Sequence, residues 1–181
     1  MRADAQRNHR RVLEAAEEVL AREGLSASMR SIALRAGVGL GTIYRHFPTQ
    51  EALYQAIIVD RMQRLVEQAG PLLEAADPGP AFFEFFTRIV RSSAEKKTLA
   101  DALSEAGIDP KSGLADIGRE MRQAIEALLH RAQGAGAVRA DLRMPELLAI
   151  LGAASLAAER NRWSDELRDR ALAIIFDGMR P

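Results

Sequence analysis

Apolar residues recur at three- and four-residue intervals along most of the chain, and no run of β-branched residues alternates with polar ones between turns. This periodicity predicts an all-α fold of about nine helices. The first runs from near Asp4 to Glu23 on a stripe of Val12, Ala16, Val19 and Leu20, with Gly24 as its stop and Leu25 packing back after the cap. A short second helix follows Ser28, whose hydroxyl can accept from free amides of the first turn, and carries Ile32, Ala33 and Ala36 on one face. Gly37 ends it, Val38 plugs the corner, and Gly39 opens a third helix in which Ile43 and Phe47, four apart, face inward.

Pro48 and Thr49 break and recap the chain ahead of a long fourth helix, from Gln50 to about Ala69, with Leu53, Ile57, Met62 and Leu65 on its apolar side. Gly70-Pro71 is expected to kink or end it, and Asp77-Pro78-Gly79-Pro80 to form a loop with Pro80 in the first turn of the fifth helix. In that helix Phe82, Phe83, Phe85, Phe86, Ile89 and Val90 fall within an arc of about 160°, with Glu84 and Arg91 opposite. Ser93 lies in the same arc, either bonded to its own helix or lining a ligand pocket. Thr98 to Ala106 reads as a short sixth helix, followed by a loop through Gly107, Asp109-Pro110 and Gly113. The seventh carries Leu114, Ile117, Met121, Ala124, Ile125, Leu128 and Leu129 at regular spacing, Met121 being a core residue or an adaptable pocket wall. Gly134-Ala135-Gly136 breaks the chain. Pro145 starts an eighth helix rich in small residues, and Ser164 caps a ninth whose apolar positions are Leu167, Ala171, Leu172, Ile174, Ile175 and Met179.

The two short helices at residues 28 to 47 form a helix-turn-helix pattern. The face of the second that is not needed inside presents Leu40, Gly41, Thr42, Tyr44, Arg45 and His46, donors and a cation on a helix too short to fold alone. Such a helix suits a DNA major groove. At these residues the chain resembles the tetracycline-repressor (TetR) family of bacterial transcription regulators. The family pattern is met by Ile32-Ala33, Ala36-Gly37-Val38, Gly41-Thr42-Ile43-Tyr44, His46-Phe47 and Thr49-Gln50-Glu51-Ala52-Leu53. The likeness covers about the first 60 residues closely. Two positions depart from it: Gly39 replaces the usual serine, and Gln50 the usual lysine. The stretch from Phe82 onward resembles the C-terminal domain of the SbtR-like subgroup.

The resemblance implies that Thr42, Tyr44 and His46 touch phosphates or sugars, that Gly41 permits close approach, and that Leu40, Thr42 and Arg45 lie nearest base edges. Ser28, Arg30 and Gly39 complete the implied DNA-binding set. It also implies a four-helix dimer interface from two copies, here using Leu147, Leu151, Ala154, Leu167, Ala171, Ile174 and Ile175. A ligand site in the body would draw on Met62, Leu65, Phe82, Phe86, Ser93 and Met121.

Composition narrows the classes further. The chain has 181 residues, no cysteine and equal numbers of acidic and basic residues, so thiol chemistry, disulfides and thiolate zinc sites are excluded. Charge is unevenly spread. Residues 1 to 50 hold eight Lys+Arg against five Asp+Glu, a net of +3 that leaves −3 for the rest, as suits a site-specific DNA reader. Arg2, Arg7, Arg10 and Arg11 cluster near the start, either reaching phosphate or a minor groove or simply solvated. The longest apolar stretch, Leu147 to Ala158, spans 12 residues against the roughly 20 a bilayer needs, and Ala3 to Arg11 is too polar for a signal peptide. A cytoplasmic protein is expected. Gly37 to Thr42 imitates a phosphate-binding loop but lacks the preceding strand and the Lys-Ser/Thr pair. His9, His46 and His130 stand far apart, no nucleophile-base set can be composed, and neither catalysis, metal nor cofactor is expected.

These readings divide the chain into a DNA-binding domain at 1–50 and a ligand-binding and dimerisation domain at 51–181, joined through the fourth helix as the one continuous element. The expected function is a homodimeric repressor that leaves double-stranded operator DNA when a small-molecule effector fills the body. The alternative is a DNA-binding structural or division-control protein whose body contacts another protein.

Overall fold

A computed structural model describes residues 2–105 and 113–181, and these form helices and turns with no strand among them. In order they are α1 (Arg2–Glu23), a 3-10 turn at Gly24–Ser26, α2 (Met29–Ala36), α3 (Leu40–His46), α4 (Gln50–Leu73), α5 (Pro78–Glu105), α6 (Ala115–Gly134), α7 (Met144–Asn161) and α8 (Asp165–Met179). The chain divides into two compact units, residues 1–61 with 98–112, and residues 62–97 with 113–181. The divide falls inside α4 and again inside α5. Two helices therefore cross it, where the sequence suggested one.

Three expectations about boundaries change. The helix over Thr98–Ala106 is not separate, because α5 continues without a break to Glu105. No Gly or Pro interrupts Ser92 to Ala102, and its Glu, Lys and Ala residues favour helix. The Asp77–Pro80 loop is shorter than expected: Pro78 already occupies the first helical position, and the Asp77 Oδ1 accepts from the Gly79 amide at 3.3 Å. Gly79 has to be small, since a Cβ there would lie 2.6 Å from that of Ala137. Finally, α4 passes through Pro71 and ends at Leu73. Its terminal carbonyls are held from α6 by Arg131, which donates to Leu72 O at 3.3 Å, to Ala75 O at 3.0 Å, and to Leu73 O. The loop residues Gly107, Asp109 and Pro110, and the side chains of Arg2, Arg7 and Leu25, lie outside the described residues.

The first unit is built on Val12, Ala16, Val19 and Leu20 of α1, Ile32 and Ala36 of α2, Ile43 of α3 and Leu53 and Ile57 of α4, all buried. The second packs Leu65 and Ala69 of α4, the α5 phenylalanines, Ile125, Leu128 and Leu129 of α6, and Leu147, Leu151, Leu172 and Met179 of α7 and α8 into one core. No described helix is long and apolar enough to cross a membrane.

Candidate nucleic-acid interface

The geometry of α2 and α3 is set by local bonds that their sequence supplies. Ser28 and Ser31 form a reciprocal capping box, the Ser31 amide donating to Ser28 Oγ at 3.0 Å and the Ser28 amide to Ser31 Oγ at 3.1 Å. Gly37 closes α2 in the left-handed region at φ 65°, and the Val38 amide reaches back to Ala33 O at 3.1 Å. That pairing is a Schellman cap, which turns the chain sharply where only glycine is unstrained. Arg11 of α1 fixes the same corner by donating to Ala36 O at 2.8 Å. Of the clustered arginines, Arg11 is thus committed to this corner.

Gly39 then starts α3 in an extended conformation with no side-chain cap, its carbonyl accepting from Thr42 and Ile43. Of the seven residues of α3, only Ile43 is buried. Leu40, Gly41, Tyr44, Arg45 and His46 are exposed and Thr42 is half-buried, so the helix offers one continuous outer face without an acidic residue. Arg30 on α2 is exposed, and neither Arg30 nor Arg45 makes an ion pair among the described residues. A Cβ on Gly41 would meet nothing within 4 Å. Glycine in a helix costs about 1 kcal/mol relative to alanine, so its use at Gly41 has no cause inside the chain. An external surface that must come close supplies one.

His46 lies edge-on to His9 of α1, with ring centroids 6.0 Å apart, and His9 packs on Phe47 at 5.0 Å. Burial holds the His9 pKa below the ordinary histidine value, helped by the neighbouring His46 and opposed by Asp60. Gln50, which replaces the usual lysine, is turned inward: its amide donates to Ala27 O at 2.7 Å and also meets the Tyr54 hydroxyl. It ties the start of α4 to the entry of α2. Glu18–Arg35 and Glu17–Arg61 pairs join α1 to α2 and α4.

The residues singled out for the body fall into different environments. Leu65, Phe82, Phe86 and Met121 share the buried core, Met62 is half-buried, and Ser93 is half-buried with its hydroxyl donating to Ile89 O at 3.0 Å. None of the six lines the groove of about 600 Å³ found in this unit, whose walls include Leu142, Glu146, Ile150, Ile174 and Ile175. Of the residues named for a dimer interface, Leu147, Leu151 and Ala154 are buried within the protomer's own core. Leu167 and Ile174 are exposed, and Ala171 and Ile175 partly so. Leu156 joins them on the surface of α7. Sequence reasoning passed over Arg131 and Arg168. Arg168 had a signal, since it stands on the α8 stripe four residues before Leu172.

Comparison with known proteins agrees with this architecture. Residues 12–57 match the family described as bacterial regulatory proteins, tetR family, and residues 77–181 match the SbtR-like transcriptional regulator C-terminal domain. The structure of a TetR transcription regulatory protein from Mycobacterium vanbaalenii is 41% identical, with 99% of each chain covered and a TM-score of 0.80. A TetR transcriptional regulator from Streptomyces coelicolor is 34% identical over 96% of this chain and 98% of its own, with a TM-score of 0.76. The HTH-type transcriptional regulator UidR of Escherichia coli is 42% identical over 65 residues, which is 35% of this chain. The match spans only 33% of that relative's length. With both of its parts matched and a relative similar along its whole length, the chain belongs to the TetR family of DNA-binding transcriptional regulators.

Proposed function

We propose that the protein is a homodimeric repressor acting in the cytoplasm, which reads a palindromic operator with α3 and is released by a small-molecule effector bound in the second unit. The observation that carries the DNA reading is the outer face of α3: donors, two basic residues and an unexplained glycine, backed by a buried Ile43. Arg45 is the sequence reader, since its guanidinium can bond two acceptors of one guanine. Thr42, Tyr44 and His46 hold phosphates or sugars, contacts that fix register without carrying sequence, while Leu40 and Thr42 lie with Arg45 nearest the base edges, Gly41 permits the close approach, and Ser28, Arg30 and Gly39 complete the DNA-binding face.

Dimerisation draws support from the surface of α7 and α8. Ala149, Gly152, Ala153 and Leu156 follow one exposed stripe of α7, and Leu167, Ala171 and Ile174 one stripe of α8. Small apolar residues on two neighbouring helices pack well against the same pair from a second copy. Two-fold symmetry would then place two α3 helices about 34 to 36 Å apart, one turn of DNA. The exposed apolar face is also what a body docking another protein would show, and this is the ground of the alternative reading. Effector release requires that the ligand bind the DNA-incompetent arrangement more tightly, about 1.4 kcal/mol of difference shifting operator affinity tenfold. The test is reciprocity. An operator duplex should weaken effector binding by the same factor by which effector weakens operator binding, and a tightly bound small molecule without effect on operator affinity would exclude release.

A further inference from the structure

Arg168 is the one charged side chain buried among the described residues, at 4% exposure, on the inner face of α8 that also carries Leu172 and Met179. Its Nη1 donates to Asp165 Oδ1 at 2.7 Å and its Nη2 reaches Asp169 Oδ1 at 3.3 Å, while Nε is buried with no partner among the described residues. Both aspartates lie mostly in water, 88% and 63% exposed, so their attraction for the guanidinium is screened. A buried guanidinium with an open donor is unfavourable, and a methionine or leucine would fill the same stripe position without that penalty. The Nε–Nη2 edge is the one that holds a carboxylate through two parallel bonds. Arg139 uses it so on Asp141, at 2.6 and 2.8 Å, whereas in Arg168 only a long contact occupies it.

The surroundings indicate what would complete this edge. Phe83 of α5 packs on Phe176 at 4.6 Å and under Arg180 at 5.4 Å, and Phe86 meets Phe176 at 5.4 Å, so α5 and α8 run antiparallel. Continued at 1.5 Å per residue, Ser93 lies about 10.5 Å along α5 from Phe86 and Arg168 about 12 Å back along α8 from Phe176, so both stand toward the same end of this helix pair. Among the described residues the Ser93 hydroxyl donates to its own helix at Ile89 O, a proton it can redirect. Val90 of α5, Ala158 of α7 and Leu172 of α8 are buried in the same core.

We propose that Arg168 is the anion-reading residue of the effector site and that the effector is an apolar carboxylate of single negative charge. This rests on the effector reading above and names the ligand class for it. One free guanidinium edge matches one planar carboxylate, while Asp165 and Asp169 would repel a dianion such as a phosphate monoester. The apolar body of the ligand would lie along the phenylalanine side of α5. Binding would fill Nε, displace the weak Asp169 contact and join α8 to α5 through Ser93.

The full-length protein should be screened by thermal shift and operator titration with straight-chain carboxylates from hexanoate to dodecanoate, aryl-alkyl carboxylates such as 4-phenylbutyrate, and the matched primary alcohols. Carboxylates should raise the melting temperature and weaken operator binding, and the alcohols should do so at least tenfold less well. Arg168→Met should lower carboxylate affinity by about 10- to 100-fold while keeping ligand-free operator affinity. Arg168→Lys, which keeps the charge but lacks the planar edge, should also lose affinity and decides the matter if the methionine variant fails to fold. Asp169→Asn should tighten carboxylate binding by removing a competitor. If alcohols act as well as acids, or Arg168→Lys binds carboxylates normally, Arg168 is not the reader. Should alcohols release the operator while carboxylates do not, the effector reading stands without this proposal; should neither class bind the native protein, both fall.

Discussion

Two helix pairs, α2–α3 and α7–α8, share a plan: each is joined by a corner with a residue in the left-handed region, Gly37 at φ 65° and Arg162 at φ 47°, and each leaves a face uncovered. What they leave uncovered differs. Apart from Leu40 at its start, the α3 face is glycine, hydroxyl, guanidinium and imidazole, groups that water already satisfies and that give it up only for a surface dense in acceptors. The α7–α8 face is alanine, leucine and isoleucine, which gains from any dry and complementary surface. Each pair turns buried residues toward its own unit, so the partner is written in the uncovered residues and not in the fold that presents them.

The largest expected effect comes from breaking the apolar face. Ile174 is 74% exposed in the protomer, so Ile174→Glu should leave the fold intact, separate the copies in sedimentation, and weaken operator binding by about 10²- to 10⁴-fold through lost bivalency. Ala154→Glu makes the contrast, because Ala154 is buried in its own core and a carboxylate there should unfold the second unit. On the polar face, Arg45→Ala should cost about 1 to 3 kcal/mol on the best operator and relax one base position, whereas Tyr44→Ala should weaken all sequences alike.

The two corners differ in strain. Gly37→Ala should destabilise the first unit by about 1 to 2 kcal/mol, and Arg162→Gly should leave the second unaltered or slightly more stable, both measurable by denaturant melts. Gly41→Ala separates folding from function: free protein should gain up to about 1 kcal/mol of stability while operator binding weakens. A gain in both would mean that no surface approaches Gly41.

The smallest effect concerns pH. The folded pKa of His9 is lowered, so below about 6.5 the unfolded chain takes up a proton that the folded one resists, and stability falls as pH drops from there. His9→Gln should flatten that part of the stability profile of the first unit.

The helix-turn-helix was legible because its determinants are local: a serine cap, a glycine that must turn left-handed, and inward residues four apart all act within a dozen positions. Gln50 and Arg11 were not legible, since their partners Ala27 and Ala36 lie 23 and 25 residues away and sequence order does not reveal which carbonyls need a donor. In the body, helix faces could be read but not their neighbours. Leu147, Leu151 and Ala154 have the same spacing whether they cover their own core or another chain's, and only packing distinguishes the two. Arg168 shows the limit most plainly: its place on the α8 stripe four residues before Leu172 could be read, but that its guanidinium turns inward is seen only from its burial.

Selection of bound sequences from random DNA, run in parallel with the native protein and Arg45→Ala, asks whether α3 reads sequence. The native chain should enrich a palindrome with half-site centres about 34 to 36 Å apart, and the variant should recover the same palindrome with one position per half-site relaxed. A selection that enriched no shared sequence, or one left unchanged by Arg45→Ala, would contradict the reading of α3 as a sequence-reading helix.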